Sequence, residues 1–309
     1  MGRILASYIM PHPPLAIPEV GGGQEKAISK TIEMMKKTAV EIKGLKPDTI
    51  IVISPHAPVF RGRGCIHIFE NKRLEGNFSN FRAREVRLAY ENDHDLVTGI
   101  IMEADKVGIK AGGMDRLNGK NEKNAYSIDP SGKKSAEALS MAGTGELDHG
   151  TMVPLYFIDN VYKDFKLVVI SIGYLDCSGF YEFGKCINRA VQLRDAENAA
   201  GGGDCVIISS GDLSHRLTRE GPYGFDPAGP KFDKYFLECI EKWEVEKLVN
   251  IDEGFLDAAA QCGYYGAVML FGALSGMSVK TEINSYEGPF GVGYAVASIQ
   301  MQSRQPDHN

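Results

Sequence analysis

The sequence predicts an α/β fold built on a largely parallel or mixed sheet. Three apolar runs carry that prediction: Thr49–Ser54, 166–172 and Cys205–Ser210. Each is continuous and rich in β-branched residues, the pattern of a strand buried on both faces. Segments of helical periodicity lie between them, and strands alternating with helices build a layered α/β domain. No composition break or repeat divides the chain. Residues 1–301 therefore read as one domain and 302–309 as a polar tail.

In order, the first strand covers 4–9 and runs into Met10-Pro11-His12-Pro13-Pro14-Leu15. Three prolines stiffen the backbone around that histidine. Gly21-Gly22-Gly23 reads as a flexible link. A helix is predicted over 24–43, with Ile28, Ile32, Met35, Ala39 and Ile42 on one face and Gly44 closing it. Thr49–Ser54 ends in Pro55-His56-Ala57-Pro58, a second histidine between prolines just past a strand. Short strands are expected at 65–69 and 85–88, and a helix over 93–107. Residues 111–145, rich in Gly, Asn, Lys and Ser, read as a long loop of the size used for lids. Leu147-Asp148-His149-Gly150-Thr151 follows, with a helix over 152–160. A helix over 180–194 separates the last two apolar runs. Cys205–Ser210 leads into Gly211-Asp212-Leu213-Ser214-His215, again a histidine beyond a strand end. After a Gly/Pro-rich loop at 216–230, helices are predicted over 231–243, Val245–Val249 and, unbroken, 256–275. Strands at 279–285 and 291–301 close the sheet.

The formal net charge of −6 argues against a nucleic-acid or anionic-membrane surface. Hydrophobic and charged contents of 43% and 24% are those of an ordinary globular chain. No apolar run reaches the ~20 residues that span a bilayer, and the opening residues lack a signal-peptide pattern, so a cytoplasmic location is expected. The six cysteines include no Cys-x-x-Cys pair, which excludes zinc-ribbon and thioredoxin readings. There is no Gly-x-Ser-x-Gly elbow, and the glycine runs lack a phosphate loop's Lys-Ser/Thr.

Four of the seven histidines, His12, His56, His149 and His215, lie at loop starts, three of them directly after strand-like runs. In an α/β sheet the carboxyl ends of parallel strands share one edge, where ligands bind. Converging imidazoles suit a first-row transition metal, iron, zinc or copper. A histidine left over is a natural acid/base, because its pKa lies near neutrality. Asp148 and Asp212 are placed to accept hydrogen bonds from metal-binding imidazoles.

The ordered set Pro11-His12-Pro13-Pro14, Ser54-Pro55-His56-Ala57, the segment from Leu147 to Leu155, Ser209-Ser210-Gly211-Asp212-Leu213-Ser214-His215 and Gly291-Val292-Gly293-Tyr294-Ala295 resembles the class III extradiol ring-cleavage dioxygenases of the LigB type. It is equally similar to the related Memo-like proteins, including the AmmeMemoRadiSam system protein B group. The resemblance runs from residue 1 to about 301 in order. It implies a single αβα domain on a central mixed, largely parallel sheet. It implies His12 and His56 as metal ligands, His215 as acid/base, and His149 as a histidine either on the substrate side or just behind the metal ligands. Fe(II) is the metal implied first, with zinc and copper as alternatives. A catechol-type diol and O2 are the implied reactants.

The family's third ligand is a glutamate on a late helix. In this chain Cys262 falls in that slot, with Gln261 beside it, and Memo-like proteins also carry a cysteine followed by glycine there. Cys262 is therefore the third ligand expected, and thiolate favours softer metals. Glu253, Glu282 and Glu287 are the other carboxylates nearby in sequence. The Memo-like side of the resemblance implies a metal-binding or redox protein without ring cleavage, working beside AmmeMemoRadiSam partner proteins. Self-association into a homo-oligomer is a further expectation.

Overall fold

The computed structural model describes residues 1–60, 65–113, 125–128, 134–135, 145–194 and 203–302. In chain order its principal elements begin with β1 (Ile4–Met10), α1 (Ser29–Leu45), β2 (Thr49–Ser54), the hairpin β3 (Arg73–Phe78) and β4 (Ala83–Glu91), and α2 (His94–Lys106). Then come α3 (His149–Asp159), β5 (Lys166–Ser171), α4 (Cys177–Gln192), β6 (Cys205–Ser210) and α5 (Ala228–Glu241). The chain closes with α6 (Glu253–Ala259), α7 (Tyr264–Ala273), β7 (Val279–Glu287) and β8 (Tyr294–Met301).

Six strands form the central sheet in the order β5-β2-β6-β1-β8-β7. The first four run parallel; β8 and β7 are antiparallel additions at one side. This is the mixed, largely parallel sheet the sequence predicts. Alternation along each strand splits the core into two layers. Ile51 and Ile53 of β2 face one apolar cluster, while Ile50 and Val52 face the other. The first cluster is completed by α2, α4, α5, α6 and α7, the second by α1, α3 and the β3–β4 hairpin. The architecture is therefore a single domain of three layers, helices on both sides of one sheet.

Register aligns the loops that matter. Met10 of β1 lies opposite Ser210 of β6, Ser209 of β6 opposite Ile53 of β2, and Ser54 of β2 opposite Ser171 of β5. The chain thus leaves β1, β2 and β6 at one level, with Pro11, Pro55 and Gly211 side by side.

Several boundaries differ from expectation. The first long helix opens with a 3-10 stretch, Gln24–Ile28, and continues past Gly44 to Leu45, where Lys46 adopts φ +50 and ends it. Pro18–Gly21 is a short helix, so the triple glycine is link only at Gly22 and Gly23. Residues 73–91 form a full hairpin rather than one short strand. The predicted 256–275 helix is two helices with a break at Ala260–Gly263. The long-loop and lid reading of 111–145 falls mostly outside the described residues; within it, Ala125–Ile128 and Lys134–Ser135 are strand. Most of the polar tail is also outside them. Among the described residues, no helix is long and apolar enough to cross a membrane.

Candidate metal centre

His12 is held from both sides of its loop. Pro13 and Pro14 begin a 3-10 turn over Pro14–Ala16, which fixes the backbone leaving it. Its backbone N–H donates to Asp212 Oδ1 at 2.9 Å, and Gly211 N–H donates to the Met10 carbonyl at 3.0 Å. The loops after β1 and β6 are thereby tied together.

His56 turns back over the end of β2, with its N–H donating to Ser54 Oγ at 3.3 Å. His149 opens α3 behind Asp148, whose Oδ1 accepts from Thr151 N–H and from Ser54 Oγ and whose Oδ2 accepts from Thr151 Oγ1. Asp148 is therefore the helix cap rather than a partner of an imidazole. Gly150 lets α3 approach: a Cβ there would lie 2.6 Å from Ser54 Oγ and 3.2 Å from His56 Cδ2.

These loops bring three imidazoles together. One nitrogen of each of His12, His56 and His149 lies within 4.8 Å of the others. The Nε2 atoms of His12 and His56 are 3.0 Å apart. The rings of His56 and His149 stack at 4.3 Å, and His12 stands edge-on to both.

The tautomer of His12 follows from one hydroxyl. Ser210 Oγ donates its proton to the Gly150 carbonyl at 2.5 Å. It can then only accept from His12 Nδ1, 2.9 Å away. His12 is thus protonated at Nδ1 and offers its Nε2 lone pair to the cluster. Burial, reinforced by the neighbouring imidazoles, holds the proton affinities of His12 and His56 well below the usual histidine value. Burial lowers His149 too, opposed by Asp148 and Asp212. Neutral imidazoles with free lone pairs are what a divalent first-row metal binds. The donor set fits such an ion.

Cys262 reaches the same place from the break between α6 and α7. Ala260 takes φ +50 and ends α6, and Gln261 Oε1 accepts the Tyr264 N–H that begins α7. In between, Cys262 and Gly263 donate their N–H groups to the Asp212 carbonyl at 3.3 and 3.0 Å. A Cβ on Gly211 would lie 2.1 Å from Gly263 Cα, so two glycines are needed where the loops touch. Cys262 Sγ lies 3.6 Å from His12 Nε2 and accepts from Asp212 N–H at 3.3 Å. Burial and the Asp212 charge push this thiol well above its usual pKa. No carboxylate joins the imidazole group among the described residues. Glu287 instead accepts from Thr31 at the start of α1.

His215 stands beside the cluster, close enough for its charge to weigh on His12. Its Nδ1 lies 2.7 Å from the Ala260 carbonyl. A carbonyl only accepts, so Nδ1 carries the proton and Nε2 is left as base. Burial lowers its pKa, partly offset by Asp212. Asp212 is itself pushed up by burial. Its Oδ2 is 3.9 Å from His12 Nε2, so its firm bond to His12 is through the backbone.

All five expected site residues thus lie at one edge of the sheet, with His149 inside the imidazole group. Ser210, Phe81 and Tyr223 were not anticipated. Phe81 packs edge-on to His149 at 5.4 Å and Tyr223 edge-on to His215 at 5.6 Å. A serine ending a strand carries no distinguishing signal, and neither aromatic belongs to a motif. Tyr264, at the start of α7, is fully buried and donates to the Leu248 carbonyl.

Comparison with known proteins bears on the family and the fold. Residues 6–297 match the family described as the catalytic LigB subunit of aromatic ring-opening dioxygenase. Protein CA_C1420 of Clostridium acetobutylicum is 37% identical over 294 residues, 95% of this chain. The chain spans 57% of that relative's length. An uncharacterized protein, JW3007 from Escherichia coli K12, superposes with a TM-score of 0.56 and 16% identity, covering 95% of this chain and 99% of its own. At that identity the likeness is one of fold.

Proposed function

This chain belongs to the family of the catalytic LigB subunit of aromatic ring-opening dioxygenases, and from that premise we propose that it is a metal-dependent enzyme of the extradiol class acting on a small catechol-type diol. The observation that carries the reading is the cluster of His12, His56 and His149 at the strand ends. These three imidazoles hold the metal, Fe(II) first among the candidates, with Cys262 as the neighbouring sulfur donor. A bound ferrous ion supplies a centre where diol and dioxygen meet and where the diol's hydroxyls become more acidic. His215, neutral and with Nε2 free, accepts a hydroxyl proton as the diol binds. It returns that proton as the ring opens and both oxygen atoms pass to the product. Ala260 holds the imidazole in the tautomer this exchange needs. Phe81 and Tyr223 provide apolar surface beside the imidazoles for a planar ring.

The test is anaerobic reconstitution with Fe(II), followed by oxygen and a panel of catechols. Oxygen uptake matched by a yellow ring-fission product, both lost in His215→Ala, is expected. Absence of both across the panel would overturn the reading.

One observation favours a second reading. The Cys262 thiol stands 3.6 Å from His12 Nε2, nearer than the 3.9 Å of Asp212 Oδ2, and sulfur favours zinc or copper(I). On this reading the chain is a Memo-like metal or redox protein that acts with AmmeMemoRadiSam partners and cleaves no ring. Copper or zinc co-purifying at one ion per chain, without oxygen uptake, supports it; stoichiometric iron with turnover rejects it.

A further inference from the structure

The Gly291–Ala295 motif takes no part in the imidazole cluster, and neither does Asp233 on α5. The two meet behind His215. Asp233 is 1% exposed and has no salt-bridge partner among the described residues. Its Oδ1 accepts from the Ser214 N–H at 2.7 Å, and its Oδ2 accepts from the Tyr286 hydroxyl at 2.6 Å. Tyr286 comes from β7, at the sheet edge. Gly293 closes the third side: a Cβ there would lie 2.2 Å from Asp233 Oδ2. Gly293 also pairs with the loop directly. Its carbonyl accepts from Leu213 N–H and its N–H donates to the Ser214 carbonyl, each at 2.8 Å.

Every polar group of Ser214 is consequently occupied. Its hydroxyl donates to the Ala259 carbonyl at 2.8 Å and accepts from Arg216 N–H at 3.0 Å. The next residue is His215, whose N–H donates to that same Ala259 carbonyl. A carboxyl sealed between a helix, a strand and a glycine, with neutral donors alone, is costly to keep buried. Burial pushes it up to about 7. What it gives the fold locally is one fixed peptide, Leu213–Ser214, one residue ahead of His215.

We propose that Asp233, backed by Tyr286 and Gly293, is the positioning residue for His215: it fixes the Ser214 peptide so that Nδ1–H meets the Ala260 carbonyl and Nε2 stays free as the base. This rests on the reading of His215 as the proton acceptor. Asp233 touches no imidazole of the cluster, so it acts on the proton and not on the metal. It also explains why residue 293 is glycine, since any side chain there displaces the carboxylate.

The experiment labels histidine with 15N in the full chain and reads each ring's tautomer by long-range proton–nitrogen correlation, without metal and without turnover. The wild-type chain is expected to show His215 as a single Nδ1–H tautomer. Asp233→Ala is expected to show a mixture of tautomers. Asp233→Asn can accept from Ser214 and donate to Tyr286, and is expected to restore the single form. In the same variants, kcat for diol cleavage should fall at least about tenfold in Asp233→Ala, with KM and Fe(II) affinity unchanged. A single Nδ1–H tautomer in Asp233→Ala overturns the proposal, as does an Asn variant no better than Ala. Should Asp233→Ala fail to fold, Gly293→Ala decides: mixed tautomers support the proposal and a single one rejects it. The tautomer readout also separates two failures. If tautomers shift but no diol is ever cleaved, the function is wrong and the positioning stands. If diols are cleaved and the tautomer never shifts, the positioning is wrong.

Discussion

Ser210 has one proton to give, and the Gly150 carbonyl takes it. That choice forces His12 to donate from Nδ1 and to face the cluster with a lone pair. Ser210→Ala removes the acceptor and also frees the start of α3, which carries His149. Its metal affinity should fall by about 10–100-fold with the fold retained, measured by competition with a chelator; an unchanged affinity would contradict the tautomer argument. The pH dependence has a definite sign. His12 and His56 have folded-state proton affinities well below the ordinary value. Above an unfolded pKa of about 6.5 both states are neutral and nothing is lost. Below it, the unfolded chain takes protons that the folded chain refuses. The metal-free protein should therefore lose stability to denaturant as the pH drops below that value. His56→Asn should flatten the slope, and a variant with the wild-type slope would sink the idea. At this scale the sequence was partly legible. Prolines around His12 and His56 announced rigid loops, whereas the role of Ser210 depends on a hydroxyl proton that no pattern encodes.

At the scale of elements, the break between α6 and α7 matters most. Residues 256–275 are apolar enough to read as one helix, because Ala258, Ala259 and Ala260 are strong helix formers. Tertiary bonds override that propensity. The Ala259 and Ala260 carbonyls serve Ser214 and His215 instead of a continuing helix. Ala260 accepts a left-handed φ of +50 to allow it. Ala260→Gly should relieve that conformation and raise stability by about 0.4–1 kcal/mol in urea unfolding. Gly211→Ala should do the reverse, costing about 1–3 kcal/mol, since its methyl group meets the Gly263 backbone. A destabilised Ala260→Gly or a neutral Gly211→Ala would refute the loop contact. The early start of α3 was hidden for a related reason. Gly150 and Pro154 make 149–154 look unhelical, yet Asp148 followed by Thr151 is a helix-capping pair.

For the whole molecule, the site gathers positions from both ends of the chain, with His12 and Cys262 separated by 250 residues. An ion held by His12, His56 and His149 would tie the loops after β1 and β2 to the start of α3, with Cys262 of the α6–α7 break beside it. Binding that favours only the folded state stabilises it by about 2.7 kcal/mol at a free metal concentration of ~100 Kd. Removing the metal with a chelator should lower Tm by several degrees, and His149→Ala should abolish that difference. An identical Tm in the loaded wild type and the stripped protein would count against a resident ion. The layered architecture was legible because buried parallel strands are continuous apolar runs, each readable on its own. The alignment of their ends was not, since register arises only when strands pair. Anomalous diffraction at the iron, copper and zinc edges, on protein purified without chelators, is the most direct test of the central claim. One peak bonded to nitrogens of His12, His56 and His149, with Cys262 Sγ beside it, is expected. Ordered imidazoles with no anomalous peak among them would contradict it.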